Sequence, residues 1–365
     1  MTRENKPGFT LPARYYTDAD VFRREIEHFF CRSWICVGRA EAIPDAGDYF
    51  LREFAGESLI VVRDRSGLLR AFYNVCRHRG TRMCTQAEGS FGERIQCPYH
   101  GWTYGLDGRL LGAPHMDAAR FTREDFPLRE IQTEIWDGHI FLHLNGSGQP
   151  LALHLGPLRR KFAPWRMQDL RLHRRITYDV AANWKLAVLN YNECLHCPFL
   201  HPALNCLTDY LGADNEPAAR TYIGGAMGFR QGVETMSTDG LRRRAYLPEL
   251  RDDERSRVYY YAILPNLFLS LHPDYMMVHT LWPVAVGHTR IVCEWYFHPD
   301  EMAKPNFRAD DAIEFWDATN REDWAIVEQS QLGIQSRAYV PGPYSPREEL
   351  LAAFDKIVAE GEREE

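Results

Sequence analysis

Two short cysteine–histidine pairs place the strongest constraint on how this chain can fold. Cys76-Arg77-His78 and Cys97-Pro98-Tyr99-His100 are separated by eighteen residues, and a glycine follows each pair, Gly80 and Gly101. Thiolates and imidazoles are metal ligands, so four of them on two tight loops require a fold that sets the loops face to face. Glycine adopts positive φ without penalty and lets each loop turn sharply. After the second pair, Trp102-Thr103-Tyr104 and the turn at Asp107-Gly108 predict strands. A second constellation lies further on, Glu193-Cys194-Leu195-His196-Cys197-Pro198-Phe199-Leu200-His201, with two histidines and no obvious thiolate partner for a shared metal.

The two ligand sets suit different chemistry. Two thiolates on one iron and two imidazoles on the other can hold a [2Fe–2S] cluster, at a higher potential than an all-cysteine cluster. The same four residues could hold structural zinc, although zinc pairs are more evenly spaced and usually lead into a helix. Two histidines with a carboxylate from elsewhere suit a mononuclear Fe(II) that activates O2. Trp184 to Cys197 reads as a helix. On an unbroken helix, His196 and His201 would point about 140° apart. Pro198 is expected to end or kink the helix and bring them together. Glu193, three residues before His196, shares its helix face and is placed to accept the imidazole's other N–H.

The chain has 365 residues, enough for about two domains. Its net charge of −7 argues against nucleic acid as a partner. The segment Met1–Lys6 lacks an apolar signal core and no stretch is long and apolar enough to span a membrane, so a cytoplasmic location is expected. With nine cysteines in that setting, metal ligation or free thiols are expected over disulfides. Cys31, Cys36, Cys84, Cys206 and Cys293 read as buried thiols. Cys194 and Cys197 form a C-x-x-C that His196 interrupts, which argues against a thioredoxin-like role. Helices are predicted over about 14–34, 310–331 and 346–358, and strands over 48–64, 138–144, 176–180, 258–264, 276–280 and 290–297. The run 242–257 reads as a solvated loop, and 145–150 as a domain boundary.

The strings Asn74-Val75-Cys76-Arg77-His78-Arg79-Gly80 and Cys97-Pro98-Tyr99-His100-Gly101-Trp102 resemble the Rieske domain of ring-hydroxylating-type oxygenases. Cys84 has no cysteine counterpart in the second loop, unlike the disulfide-linked loops of respiratory Rieske proteins. Asn183-Trp184-Lys185-Leu186, then Asn190 to Pro198 and His201-Pro202, resemble the mononuclear-iron segment of the α subunits of those enzymes. The resemblance implies an α+β protein. Residues 1–37 would form a helical segment on the catalytic domain, 38–150 an all-β Rieske domain, and 151–365 a helix-grip catalytic domain with an antiparallel sheet. It implies Cys76, His78, Cys97 and His100 as cluster ligands. It also implies His196, His201 and a carboxylate from the C-terminal helix as iron ligands. Asp310, Asp311, Asp317, Glu322, Asp323 and Glu328 are candidates, and Asp323 fits the family's pattern best, with Asp317 second.

The resemblance further implies a homotrimer in which Glu193 carries electrons between His100 of one subunit and His196 of the next. Electrons would come from NAD(P)H through a separate flavin and ferredoxin-type reductase. Glutamate followed by Cys-x-His-Cys is most similar to the choline, carnitine and glycine-betaine oxygenases, although Leu189-Asn190-Tyr191 stands where that branch often has Glu-Asn-Tyr. The expected reaction is hydroxylation of a carbon beside a quaternary nitrogen, followed by C–N cleavage. Such a substrate calls for an aromatic cage, for which Tyr259, Tyr260, Tyr261, Tyr275, Trp282 and Trp295 are available. Two alternatives remain open, an aromatic-ring dioxygenase that forms cis-diols and a non-enzymatic Rieske electron carrier.

Overall fold

A computed structural model of the chain describes residues 8–117 and 119–361. The chain divides into two compact units, one spanning Cys31–Leu153 and the other made of the residues up to Phe30 together with those from His154 onward.

The first unit is all β. Its larger sheet has seven strands in the order Ile35–Arg39, His139–His143, Glu130–Trp136, Leu69–Tyr73, Glu57–Arg63, Asp48–Phe54 and Glu88–Ser90. Every neighbouring pair is antiparallel. The predicted 48–64 strand is thus a hairpin, turned at Ala55-Gly56. Its second arm, Leu59–Val62, is fully buried, the pattern of a strand covered on both faces. A smaller sheet of Arg94–Gln96, Thr103–Gly105 and Leu110–Gly112 lies alongside in sequence. Ile60, Val62 and Phe72 of the large sheet and Ile95, Tyr104 and Leu110 of the small one share a core cluster that also contains Cys76 and Cys97.

The second unit is built on a seven-stranded antiparallel sheet. Strands Thr208–Asn215, Tyr222–Phe229, Arg257–Ile263, Leu267–Leu271, Met276–Ala285 and His288–Phe297 follow one another as a meander, and Arg171–Val180 closes the far edge. The 25-residue helix Asp310–Ile334 buries Phe315, Trp316, Trp324 and Val327 and contacts both Arg171–Val180 and the helix Trp184–Tyr191. The arrangement is the α+β architecture expected, an antiparallel sheet with a long helix.

Three readings need correction. The predicted helix over 14–34 is broken into Arg14–Thr17, Ala19–Glu25 and a five-residue π-helical turn, Ile26–Phe30. Asp18 interrupts the first two because its carboxylate accepts the Asp20 and Val21 N–H groups as an N-cap. The run 242–257 is not uniformly solvated. Arg244 is 2% exposed and bridges two buried carboxylates, Asp274 at 2.9 Å and Asp311 at 2.6 Å. Of the cysteines read as buried thiols, Cys206 is exposed and Cys84 is half-buried.

Candidate cluster loops and active site

The two cysteine–histidine loops of the first unit are near copies of each other. Gly80 N–H donates to Cys76 O at 3.0 Å, and Gly101 N–H to Cys97 O at 3.1 Å. Cys76 N–H donates to Thr81 O at 2.9 Å, and Cys97 N–H to Trp102 O at 2.8 Å. Both glycines have positive φ, 77° and 71°, which these turns require. One loop follows strand Leu69–Tyr73, and the other is the tip of the hairpin Arg94–Gln96/Thr103–Gly105. Cys76 and Cys97 are each 2% exposed, and the His78 and His100 rings lie 4.7 Å apart.

These residues fit a [2Fe–2S] cluster held by two thiolates and two imidazoles. His78 Nδ1 is buried without a hydrogen-bond partner among the described residues, an orphan that a metal bond would satisfy. Burial pushes the Cys97 thiol up, while the Tyr99 and His100 N–H groups point at its sulfur and oppose that shift, as donors to a thiolate would. Tyr104 OH lies 3.5 Å from Cys76 Sγ and accepts from Arg77 N–H at 3.1 Å. Trp102 stacks on His78 at 4.9 Å and only 8° from parallel. His100 is lowered from its ordinary pKa by desolvation and by His78 and Arg79, which favours the neutral imidazole needed for ligation.

In the second unit, the helix Trp184–Tyr191 ends before the ligand motif rather than running to Cys197. Asn192 turns back, its Nδ2 donating to Val188 O at 2.7 Å, and this satisfies one of the carbonyls left free at the helix end. The Glu193 carboxylate accepts from Leu195 N–H and pairs with His196 Nδ1, so it organises a turn instead of a helix face. Pro198 then opens the short helix Cys197–Leu200, a first-turn position that tolerates its missing N–H. His201 follows directly and is 2% exposed.

His196, His201 and Asp323 each offer a donor atom, and the three atoms lie within 4.8 Å of one another. Asp323 Oδ1 is 2.8 Å from His201 Nε2 and 3.4 Å from His196 Nε2. Asn190 Nδ2 donates to the same oxygen at 3.0 Å. Burial works against the charged His196 ring, but Asp323 and Glu193 outweigh it and hold the pKa up at about 9. Desolvation of the half-buried Asp323 raises its carboxyl, yet the two histidines hold it below its ordinary value. The site therefore draws positive charge into a half-buried two-imidazole, one-carboxylate pocket, the donor set of a mononuclear iron centre with open positions. Asp317 stands apart from it, accepting from Tyr178 OH at 2.7 Å and pairing with Arg321. Glu328 caps Ala181 N–H, and Asp311 serves Arg244.

A cavity of about 420 Å3 opens onto this triad. Tyr191, Tyr260 and Trp316 wall it, with Tyr260 edge-on to both others at centroid distances of 6.1 Å. Of the other aromatic candidates, Tyr259, Tyr261, Tyr275 and Trp295 are buried. Tyr191 was not among the aromatic candidates because it lies in the ligand segment, not on a strand. The expectation of free thiols fails at one point. Cys194 and Cys197 form a disulfide across the Glu193–His196 turn, with Cα atoms 5.0 Å apart. That separation falls inside the range a disulfide spans. Glu322, offered as a possible ligand, instead meets the far nitrogen of His201, Nδ1, at 2.6 Å.

A β unit with paired cluster loops, joined in one chain to a unit with a two-histidine, one-carboxylate centre and a substrate-sized cavity, defines an oxygenase supplied by an iron–sulfur cluster. Residues 33–132 match the Rieske [2Fe-2S] domain, and residues 167–361 match the ring hydroxylating alpha subunit (catalytic domain). The glycine betaine monooxygenase oxygenase subunit of Pseudomonas aeruginosa is 31% identical, over 94% of this chain and 87% of its own. The carnitine monooxygenase oxygenase subunit of Escherichia coli is also 31% identical, over 91% of this chain and 86% of its own. A solved quaternary ammonium Rieske monooxygenase, studied for carnitine oxidation and inter-subunit electron transfer, superposes with a TM-score of 0.80. It is 25% identical and the match covers 97% of this chain and 96% of that one. The chain belongs to the ring-hydroxylating oxygenase α-subunit family. It is a Rieske oxygenase, an oxidoreductase with a [2Fe–2S] cluster and a mononuclear iron.

Proposed function

We propose that this chain is the terminal component of an oxygenase system that hydroxylates a carbon attached to a quaternary nitrogen. The observation that carries the reading is the aromatic wall of Tyr191, Tyr260 and Trp316 in the same cavity as His196, His201 and Asp323. Aromatic faces attract a cation that can make no hydrogen bonds, and a quaternary ammonium is such a cation. The glycine betaine and carnitine relatives support the same class.

His196, His201 and Asp323 would hold the iron, and Cys76, His78, Cys97 and His100 the cluster. When bound, the iron supplies reductive activation of O2, and the cluster stores an electron for it. The protein's own groups do the rest. Asn190 steadies Asp323, Glu193 fixes the His196 ring, and the aromatic wall holds the N-methyl or N-methylene carbon toward the triad. Overall, the substrate carbon gains one oxygen atom, and two electrons and two protons reduce the other to water. The resulting carbinol beside nitrogen releases an amine and an aldehyde.

Electrons would come from NAD(P)H through a separate flavin and ferredoxin-type reductase. The working assembly would be a homotrimer in which Glu193 links His100 of one subunit to His196 of the next, in line with the inter-subunit transfer studied in the solved relative. Residues 38–150 would serve as the cluster domain, and 151–365 with the 1–37 segment as the catalytic part. No helix among the described residues is long and apolar enough to cross a membrane, and a cytoplasmic location fits the reading.

The test is O2 uptake by the purified protein with a reductase, against glycine betaine, carnitine, choline, N-methyl amines and aromatic acids, with 18O2 product analysis. Betaine-dependent uptake with aldehyde release and one labelled oxygen in the organic product supports the proposal. Uptake with aromatic acids alone and two labelled oxygens in a cis-diol overturns it.

A further inference from the structure

We propose that Glu322 is a positioning residue for the mononuclear centre, the counterpart at His201 of Glu193 at His196; this rests on the reading that His196, His201 and Asp323 hold iron. Glu322 and Asp323 are consecutive on the helix Asp310–Ile334, and together they grip both nitrogens of one imidazole. Glu322 Oε2 is 2.6 Å from His201 Nδ1, and Asp323 Oδ1 is 2.8 Å from His201 Nε2. Neighbouring residues on a helix project about 100° apart, so a ring seated against the helix can be held from both edges. His196 has the matching arrangement, with Glu193 at Nδ1 and Asp323 facing Nε2.

The chemical consequence is a fixed tautomer. A carboxylate at Nδ1 keeps the proton there, and the Nε2 lone pair is then directed at the carboxylate-lined space a cation would fill. Glu322 itself is on the wrong side of the ring to ligate that cation. The converging donor set comprises His196, His201 and Asp323, and Glu322 is outside it. The two outer carboxylates also differ in setting. The Glu193 side chain is 13% exposed, whereas that of Glu322 is 45% exposed over a His201 side chain that is 1% exposed. Glu322 can therefore be replaced without stranding a buried charge.

The test uses the full chain with its cluster assembled and Fe(II) added, comparing Glu322→Ala, Glu322→Gln and Asp323→Asn with the unaltered protein. The readouts are the rate at which a ferrous chelator extracts the mononuclear iron, the visible spectrum of the cluster and the thermal midpoint. Glu322→Ala is expected to lose mononuclear iron about tenfold faster or more, the scale on which removal of such a partner weakens metal sites. Glu322→Gln, which can still accept the Nδ1 hydrogen bond, should fall between, with cluster spectrum and midpoint unchanged in both. Iron retention in Glu322→Ala equal to that of the unaltered protein overturns the inference. Asp323→Asn separates the two claims, because unchanged iron retention there contradicts the ligand assignment rather than the role of Glu322.

Discussion

The buried charges of the catalytic unit show how single residues set its pH response. Lys185 is fully buried, and its ammonium sits 2.6 and 2.7 Å from the two oxygens of Glu25, which also accepts from Trp184 Nε1 at 3.1 Å. That pair ties the N-terminal helical segment to the helix Trp184–Tyr191. Asp355, 4% exposed, has no such full partner. Burial raises its pKa to about 7, and the Tyr344 hydroxyl at 2.7 Å and the charge of Lys185 only partly oppose this. Its folded pKa lies above its unfolded one, so the folded protein holds the proton more tightly. The resulting stability is present at low pH and is lost as pH rises from about 4 through 7. Asp355→Asn cannot ionise, so its thermal midpoint should match the unaltered protein near pH 4 and exceed it increasingly up to pH 8. The displacement corresponds to a gain on the order of 4 kcal/mol at most. Parallel midpoints across that range would show that Asp355 is not held neutral by burial.

At the scale of elements, the sequence was most legible where chemistry is local. The spacing Cys-x-His and Cys-x-x-His with trailing glycines already describes the two matched loops, because the ligands and their turn residues are neighbours in sequence. The ligand segment was less legible. The end of the helix at Tyr191 depends on the Asn192 side chain reaching back to Val188 O, and asparagine near a helix end is a signal that could have located it. Strand Tyr222–Phe229 was missed because three of its residues are glycine, which is rare in strands. The structure explains that composition. A Cβ on Gly225 would come within 2.5 Å of the Asp214 carbonyl on the next strand, so only glycine allows the approach at the cavity wall. The disulfide went unread although its C-x-x-C spacing is local, because a chain with no visible export signal is expected to keep free thiols. Denatured, demetallated protein alkylated without reductant should show seven modified cysteines, and nine after reduction. Nine without reductant would mean that Cys194 and Cys197 are thiols in the native protein.

For the whole molecule, one chain carries the parts of a redox circuit in two separately folded units. In the first, the buried thiols and the orphaned His78 nitrogen suit an electron store near the surface, where Tyr99 beside His100 is 57% exposed. In the second, the triad and its aromatic cavity suit the oxygen chemistry. Glu193 is central because it touches His196 directly and is proposed to meet His100 of another copy. The most direct measurement is a single turnover of Glu193→Gln. Its cluster is first reduced and then mixed with O2 and betaine while the cluster's visible spectrum is followed. The account predicts a normal reduced cluster that fails to reoxidise on the time scale of the unaltered protein, with no aldehyde formed. Reoxidation and aldehyde yield equal to those of the unaltered protein would contradict it.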